Sequence, residues 1–168
     1  MIEKFKTLLV VKSSLISLYL ALTIPLPFIS INNLKIFSVI LTLSGLFLIF
    51  SITSDHVETC NSKISYKTNF ISKILGRENW EIYWKDIKEI ISFPTSQGSK
   101  VYYFKTKNDN NYLIPQRIED FGKFLSIVSD NTDINTKQIN YISPLWTYKL
   151  LTLLSVFMIF GELFSFLS

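Results

Sequence analysis

Charge-free runs dominate the pattern of hydrophobic and polar positions along the chain. From Ile36 to Ile52, "IFSVILTLSGLFLIFSI", 17 residues pass without a charge, at the short end of the roughly 17–25 that a helix needs to cross a bilayer core. Ahead of it, "SSLISLYLALTIPLPFISI" (Ser13–Ile31) is also uncharged and starts directly after Lys12. The link "NNLK" is too short to be a domain, so the two runs predict a helical hairpin, residues 1–53, with spans over about 10–31 and 35–53. The first run is long, contains Pro25 and Pro27 and has no small-x-small cleavage site, which marks a retained anchor, not a removed signal peptide. A third run, "LLTLLSVFMIFG" (Leu150–Gly161), continues past Glu162 through "LFSFLS". Trp146, Tyr148 and Lys149 precede it, an interface anchor of aromatic rings and a cation, so residues 144–168 predict a C-terminal span.

Between these runs, residues 54–143 change period. "KISYKTNF" (Lys63–Phe70) alternates as a half-buried strand does, and "NWEIYW" (Asn79–Trp84) puts Trp80, Ile82 and Trp84 on one face with Glu81 and Tyr83 on the other. "DIKEIISF" (Asp86–Phe93) and "VYYFKT" (Val101–Thr106) flank the turn "PTSQGSK", and "KNDNN" turns the chain into the short strand Tyr112–Ile114. Pro115, which has no N–H to give to a ladder, ends that strand. Ile118, Phe121, Leu125 and Val128 then fall on one stripe of an amphipathic helix over about 117–129, with Glu119 and Asp120 in its first turn, where negative charge suits the helix dipole. Five or six short antiparallel strands closed by one helix make the fold class membrane α + β: a transmembrane hairpin, a small antiparallel β-domain capped by a helix, and a C-terminal transmembrane helix.

Composition agrees with apolar blocks beside an ordinary domain: 48% hydrophobic residues and 18% charged, with a mean hydropathy of +0.30. The formal charge of +4 lies mostly outside the middle segment, where Thr53 to Ser143 carries 12 basic and 11 acidic residues. A nucleic-acid binder would concentrate basic charge on one face, so that class of partner is not expected. Lys4, Lys6, Lys12 and Lys149 flank one side of the spans and Lys35 the other. The positive-inside rule then predicts a cytoplasmic N-terminus and β-domain and a C-terminus on the far side, in a plasma or thylakoid membrane.

Candidate chemistry is sparse. "DHVE" (Asp55, His56, Glu58) gathers three potential ligands at the end of the second span but has no second cluster to complete a shell, and reads as a juxtamembrane turn. The lone His56 sits in that segment, nothing marks a serine as activated, and Cys60 can form no internal disulfide. No catalytic residue, metal, cofactor or small-molecule substrate is therefore expected. Glu162 inside the third span is costly unless it has a partner or reaches water. Lys35 falls on the same side of the membrane, so an intramembrane Lys35–Glu162 pair is expected, or a Glu162 turned towards a partner subunit. Lys73 and Arg77 of "KILGR", and Arg117 of "YLIPQRIEDF", are candidates for lipid or partner contact, and Phe70, Ile71, Ile74 and Leu75 could touch the lipid surface.

The order W-x-I-x-W-x-D-I (Trp80–Ile87), Y-Y-F (Tyr102–Phe104) and L-I-P-Q-R (Leu113–Arg117) before an amphipathic helix resembles the bacterial membrane-anchored pleckstrin-homology-like proteins, including the YcxB-like group, over about residues 7–130. Two spans followed by a β-rich cytoplasmic domain is also similar to the photosystem I assembly protein family of cyanobacteria and plastids. "PTSQGSKVYYF" resembles small cyanobacterial membrane proteins of unassigned role. The third span departs from both patterns. "KILGR" resembles the basic β1–β2 loop with which some pleckstrin-homology domains hold phosphoinositide headgroups. The resemblance implies no catalytic residues. A small, nearly neutral domain held by spans on both sides, with no catalytic cluster, instead points to a non-enzymatic membrane scaffold, assembly factor or accessory subunit, whose domain binds a membrane protein complex, a photosynthetic (thylakoid) one among them, or a second copy. An anionic-lipid-sensing module is the alternative.

Overall fold

The segment ahead of the first apolar helix is a strand, which charge-free runs alone do not reveal. The computed structural model describes residues 2–167, with every side chain among them except those of Asn32, Asn33 and Leu167. The chain divides into two units. One joins the residues up to Leu8 to Ser54–Ser143, and the other joins Leu9–Thr53 to the chain from Pro144 onward. Residues ahead of the hairpin therefore belong to the β-domain, which corrects the 1–53 boundary.

In the β-domain, β1 (Glu3–Lys6), β2 (His56–Thr59), β3 (Lys63–Lys67) and β4 (Trp80–Tyr83) form an antiparallel sheet in that order. Phe5 lies opposite Val57 and Ile64 opposite Ile82. Asp86 closes a short 3-10 turn (Trp84–Asp86) that leads into a second antiparallel sheet of β5 (Ile87–Pro94), β6 (Lys100–Thr106) and β7 (Asn111–Leu113). Alternation sets the faces: in β6, Tyr102, Phe104 and Thr106 are buried while Val101, Tyr103 and Lys105 point the other way. Both sheets supply one core, to which Val57, Ile64, Phe104 and Phe124 contribute fully buried side chains. Burying a large apolar side chain contributes about 1.5–3 kcal/mol.

One helix closes this core. The remaining helices before it are α1 (Leu9–Thr23), α2 (Leu26–Ile29), α3 (Asn32–Ile52) and the five-residue α4 (Phe70–Ile74). α5 itself spans Phe121–Thr132 and buries Phe121, Phe124, Leu125 and Val128. Its start lies four residues beyond the expected 117, because Ile118 pairs in a bridge with Thr7 and Asp120 takes a left-handed backbone (φ 48°) just before the first turn. Ile118 still reaches the core, at 3% exposure. Glu119 and Asp120 thus precede the helix. The residues 56–59, expected as a turn, are β2, with Val57 and Thr59 facing inward.

The second unit holds α1, α2, α3 and α6 (Leu145–Leu167). Three apolar segments, Leu9–Ile29, Leu34–Ile52 and Leu145–Phe166, are long and apolar enough to cross a membrane. Their 21, 19 and 22 residues give about 30 Å of helix at a rise of about 1.5 Å per residue. Pro25 breaks the first segment between α1 and α2. Val10 and Ser13 lie beside Lys149 and Thr152, and the Phe28 ring stacks on Phe166 at 4.5 Å, so α1–α2 and α6 run in the same direction. α3 packs on α1 as well. Beside Val11 and Thr23, the buried positions of these helices include the small residues Ser14, Ser17, Ala21 (the sole alanine of the chain), Ser38 and Ser155. Their hydroxyls turn back to their own helices, as Ser14 Oγ to Val11 O (2.9 Å) and Ser155 Oγ to Leu151 O (2.8 Å) show, so close helix approach leaves no orphan donor there. Gly45 of α3 accommodates Tyr19, whose hydroxyl donates to Leu41 O at 2.9 Å.

Candidate functional site

Asp55 is the third residue after α3 and is 4% exposed. A buried carboxylate is costly unless its oxygens are satisfied, and this one is held from three sides. Oδ2 accepts from Tyr66 Oη (3.3 Å) and from Arg77 Nη1 (3.1 Å), and Oδ1 accepts from the Asn69 backbone N–H (3.1 Å). Burial first, and then the Asp55 charge, push the Tyr66 hydroxyl above its ordinary value. The Asp55 carbonyl accepts from Thr7 Oγ1 (3.4 Å), which ties the residues flanking the hairpin to each other.

Asn69 organises the next turn. Its Oδ1 caps α4 by accepting from Ser72 N (2.8 Å), and its Nδ2 donates to Ser54 Oγ (2.8 Å). At the other end Gly76 adopts a left-handed conformation (φ 82°) and Arg77 N donates to Ser72 O (2.9 Å), a glycine-based helix stop. This short capped helix faces Ser72 inward, fully buried, and leaves Phe70, Lys73, Ile74 and Leu75 exposed. It connects β3 to β4, so "KILGR" is not a β1–β2 loop: the β1–β2 connection is the apolar hairpin.

The corner "YLIPQRIEDF" is the third part. Arg117 O accepts from Leu8 N (2.9 Å), and Lys6 O accepts from Glu119 N (2.8 Å). Gln116 Nε2 donates to Lys100 O (3.1 Å) and Asn140 O (2.7 Å). Leu8, Ser54 and Asn140, each close to a junction with an apolar helix, are thus tied together at one end of the domain. On β2, Glu58 accepts from Lys4 Nζ (2.8 Å) and lies 3.3 Å from His56 Nε2. The Lys4 contact, followed by His56, holds its carboxyl below the usual 4.5 against the opposing effect of desolvation.

Of the residues singled out from sequence, Lys73 and Arg117 are exposed and make no ion pair among the described residues. Arg77 differs: its guanidinium is bound to Asp55 with half of the side chain still exposed, so it holds the α4 turn. Lys35 and Glu162 do not pair. Lys35 is exposed on α3, and Glu162 Oε2 is buried on α6 without a hydrogen-bond partner among the described residues. Cys60 Sγ lies near Lys63 O (3.4 Å), and its carbonyl accepts from the Trp84 indole N–H (2.8 Å). Among the described residues no group of three or more His, Cys, Asp and Glu could hold a metal ion.

One further surface stands out on the second sheet. Its outer face aligns Ile91 with Tyr103 and Leu113, and Phe93 with Val101. Phe93 is 53% exposed and meets Tyr103 edge-on at 5.7 Å. This apolar row could be seen only once the register was known.

No family model matches the chain. It is 32% identical over 159 residues to the uncharacterized protein slr0269 of Synechocystis sp. (strain ATCC 27184 / PCC 6803 / Kazusa), a match covering 90% of this chain and 79% of that protein. This extent of similarity shows that the chain belongs to the family of that cyanobacterial protein.

Proposed function

We propose that the chain is a non-enzymatic integral membrane scaffold or accessory subunit. On this reading a pleckstrin-homology-like domain binds a protein partner at the cytoplasmic membrane surface. The observation that carries it is the outer face of the second sheet, where Ile91, Phe93, Val101, Tyr103 and Leu113 form an apolar row on a domain otherwise balanced in charge. Contiguous exposed apolar residues on a folded domain mark interaction sites. Four strands, then three, then a closing helix support the pleckstrin-homology-like assignment. The β1–β2 pairing supports the topology, because a hairpin that leaves from one strand and returns to its neighbour crosses the membrane twice. Lys4, Lys6, Lys12 and Lys149 then favour a cytoplasmic domain and α6 carrying the C-terminus across.

Affinity capture of the full chain from gently solubilised membranes tests the proposal. Co-purification of a defined membrane complex is expected, and its loss on Phe93→Ser with Tyr103→Ser while membrane insertion is unchanged. Recovery without a partner, or a partner indifferent to both substitutions, refutes it. The family includes a cyanobacterial protein, so a thylakoid photosynthetic complex is among the partners to look for. The lipid-contact reading is favoured by a separate observation, the exposed apolar residues of α4 beside Lys73.

A further inference from the structure

The two ends of the β-domain are distinguished by its own chain connections. Strand direction brings Lys6, His56, Lys67 and Trp80 to one end of the first sheet, and Lys100 of the second sheet accepts from Gln116, next to Arg117 whose carbonyl binds Leu8. Leu8 and Ser54, from which the chain passes to the apolar helices, belong to that end, and the Gln116 bond ties Asn140 to it. The turns 60–62 and 107–110 lie at the other.

α4 belongs to the end that leads to the helices. Asn69 bonds Ser54 through its side chain and Asp55 through its backbone N–H. Phe70, Ile74 and Leu75 are 76%, 68% and 61% exposed, while Ser72 is fully buried and Ile71 half-buried. Three large apolar side chains on one short turn gain nothing from water, whereas the boundary between headgroups and acyl chains takes up such a group with flanking cations. The turn is also rigid: the Asn69 cap, the left-handed Gly76 and the Arg77–Asp55 bond hold its shape without any ligand.

We infer that α4 is a membrane wedge: Phe70, Ile74 and Leu75 enter the interfacial layer of the bilayer that holds the chain's own apolar helices, with the Lys73 ammonium among the lipid phosphates. Arg77 supports the wedge from behind through Asp55, and Glu78, exposed beyond it, stays on the water side. The inference rests on reading the apolar helices as spans and is independent of any protein partner.

Depth-dependent quenching tests it on the full chain in phosphatidylcholine–phosphatidylglycerol nanodiscs. In a Cys60→Ser background, single fluorescent labels are placed by Ile74→Cys on α4, Leu43→Cys on α3 and Asn110→Cys in the distal turn. Lipids carrying a nitroxide near the headgroup should quench the Ile74 label several-fold more than the Asn110 label, and lipids carrying it at mid-chain should quench the Leu43 label. Phe70→Ser with Leu75→Ser should weaken quenching at Ile74 and leave Leu43 unchanged. An unquenched Ile74 label beside a quenched Leu43 label overturns the wedge and leaves the spans standing. An unquenched Leu43 label overturns the spans and the wedge with them. An Ile74 label shielded from an aqueous quencher yet untouched by either nitroxide reports a protein surface over the turn, and this too overturns the wedge.

Discussion

Phe5→Ala tests the least expected feature of the molecule, a β-domain completed by the strand ahead of the hairpin. Phe5 is 4% exposed, stands opposite Val57 and meets the Phe124 ring edge-on at 5.6 Å. Truncation removes a buried ring and leaves a cavity between β1 and α5, a change that costs about 3–5 kcal/mol when a core phenylalanine becomes alanine. Small domains are stable by only about 5–15 kcal/mol, and each kcal/mol moves the midpoint of a domain this size by about 4–8 °C. A fall of at least about 12 °C is therefore expected. Trp80 and Trp84 lie in the domain, so their fluorescence follows its unfolding in the detergent-solubilised full chain while the apolar helices remain folded. Tyr83→Ala, at an exposed β4 position, is the matched control and should shift the midpoint little. A Phe5→Ala shift no larger than the control's would show that β1 is peripheral and refute the reasoning.

Four other outcomes follow from the same contacts. Asp55→Ala removes an acceptor from the Arg77 guanidinium, the Tyr66 hydroxyl and the Asn69 N–H; with Arg77 half exposed the loss should be about 2 kcal/mol, and hydrogen exchange should quicken over residues 69–77. Glu58 has its carboxyl pKa lowered from 4.5 by Lys4 and His56, so its contribution is full above 4.5 and is lost as pH falls below 4.5 through the folded value. The exposed Lys4 limits it to under about 1 kcal/mol, and Glu58→Gln should flatten that acid-side slope in unfolding midpoints. At Gly45 a Cβ would stand 2.0 Å from Tyr19 Oη; Gly45→Ala should expel the ring and break its bond to Leu41 O, costing about 1 kcal/mol in detergent unfolding, with Tyr19→Leu restoring much of it. Glu162→Leu removes an unpartnered buried carboxyl oxygen and should raise the stability of the isolated chain by about 1 kcal/mol or more, so a partner lost with this variant would point to a role in assembly.

What could be read in advance was whatever local periodicity dictates. The apolar helices follow from charge-free runs, and the stripe Ile118, Phe121, Leu125 and Val128 is wholly buried, although the first of the four precedes the helix. β1 escaped because four residues carry little periodicity and their partner strand lies beyond the hairpin: Phe5 pairs with Val57. α4 escaped because five residues are held by a cap and a left-handed glycine, which leave no apolar stripe. Arg77 looked available for lipid because its partner Asp55 is 22 positions away. Lys35 and Glu162 make no ion pair among the described residues, since spacing says which end of a span a residue occupies and not which way its side chain faces.

Inserting the hairpin between β1 and β2 also constrains how the domain works. The domain is joined to the apolar helices at three places along the chain: after Leu8, before Ser54 and after Ser143. Thr7–Asp55, Leu8–Arg117 and Gln116–Asn140 bonds hold the neighbourhoods of those junctions together. Its first sheet also cannot close until the whole hairpin has been made, because β1 and β2 pair only across it. On the proposed topology, folding of the domain is therefore coupled to insertion. On the proposed function, a partner in the same membrane would meet it at the high effective concentration that confinement gives. The apolar row of Ile91, Phe93, Val101, Tyr103 and Leu113 can then suffice where the same small surface on a freely diffusing domain would bind only weakly.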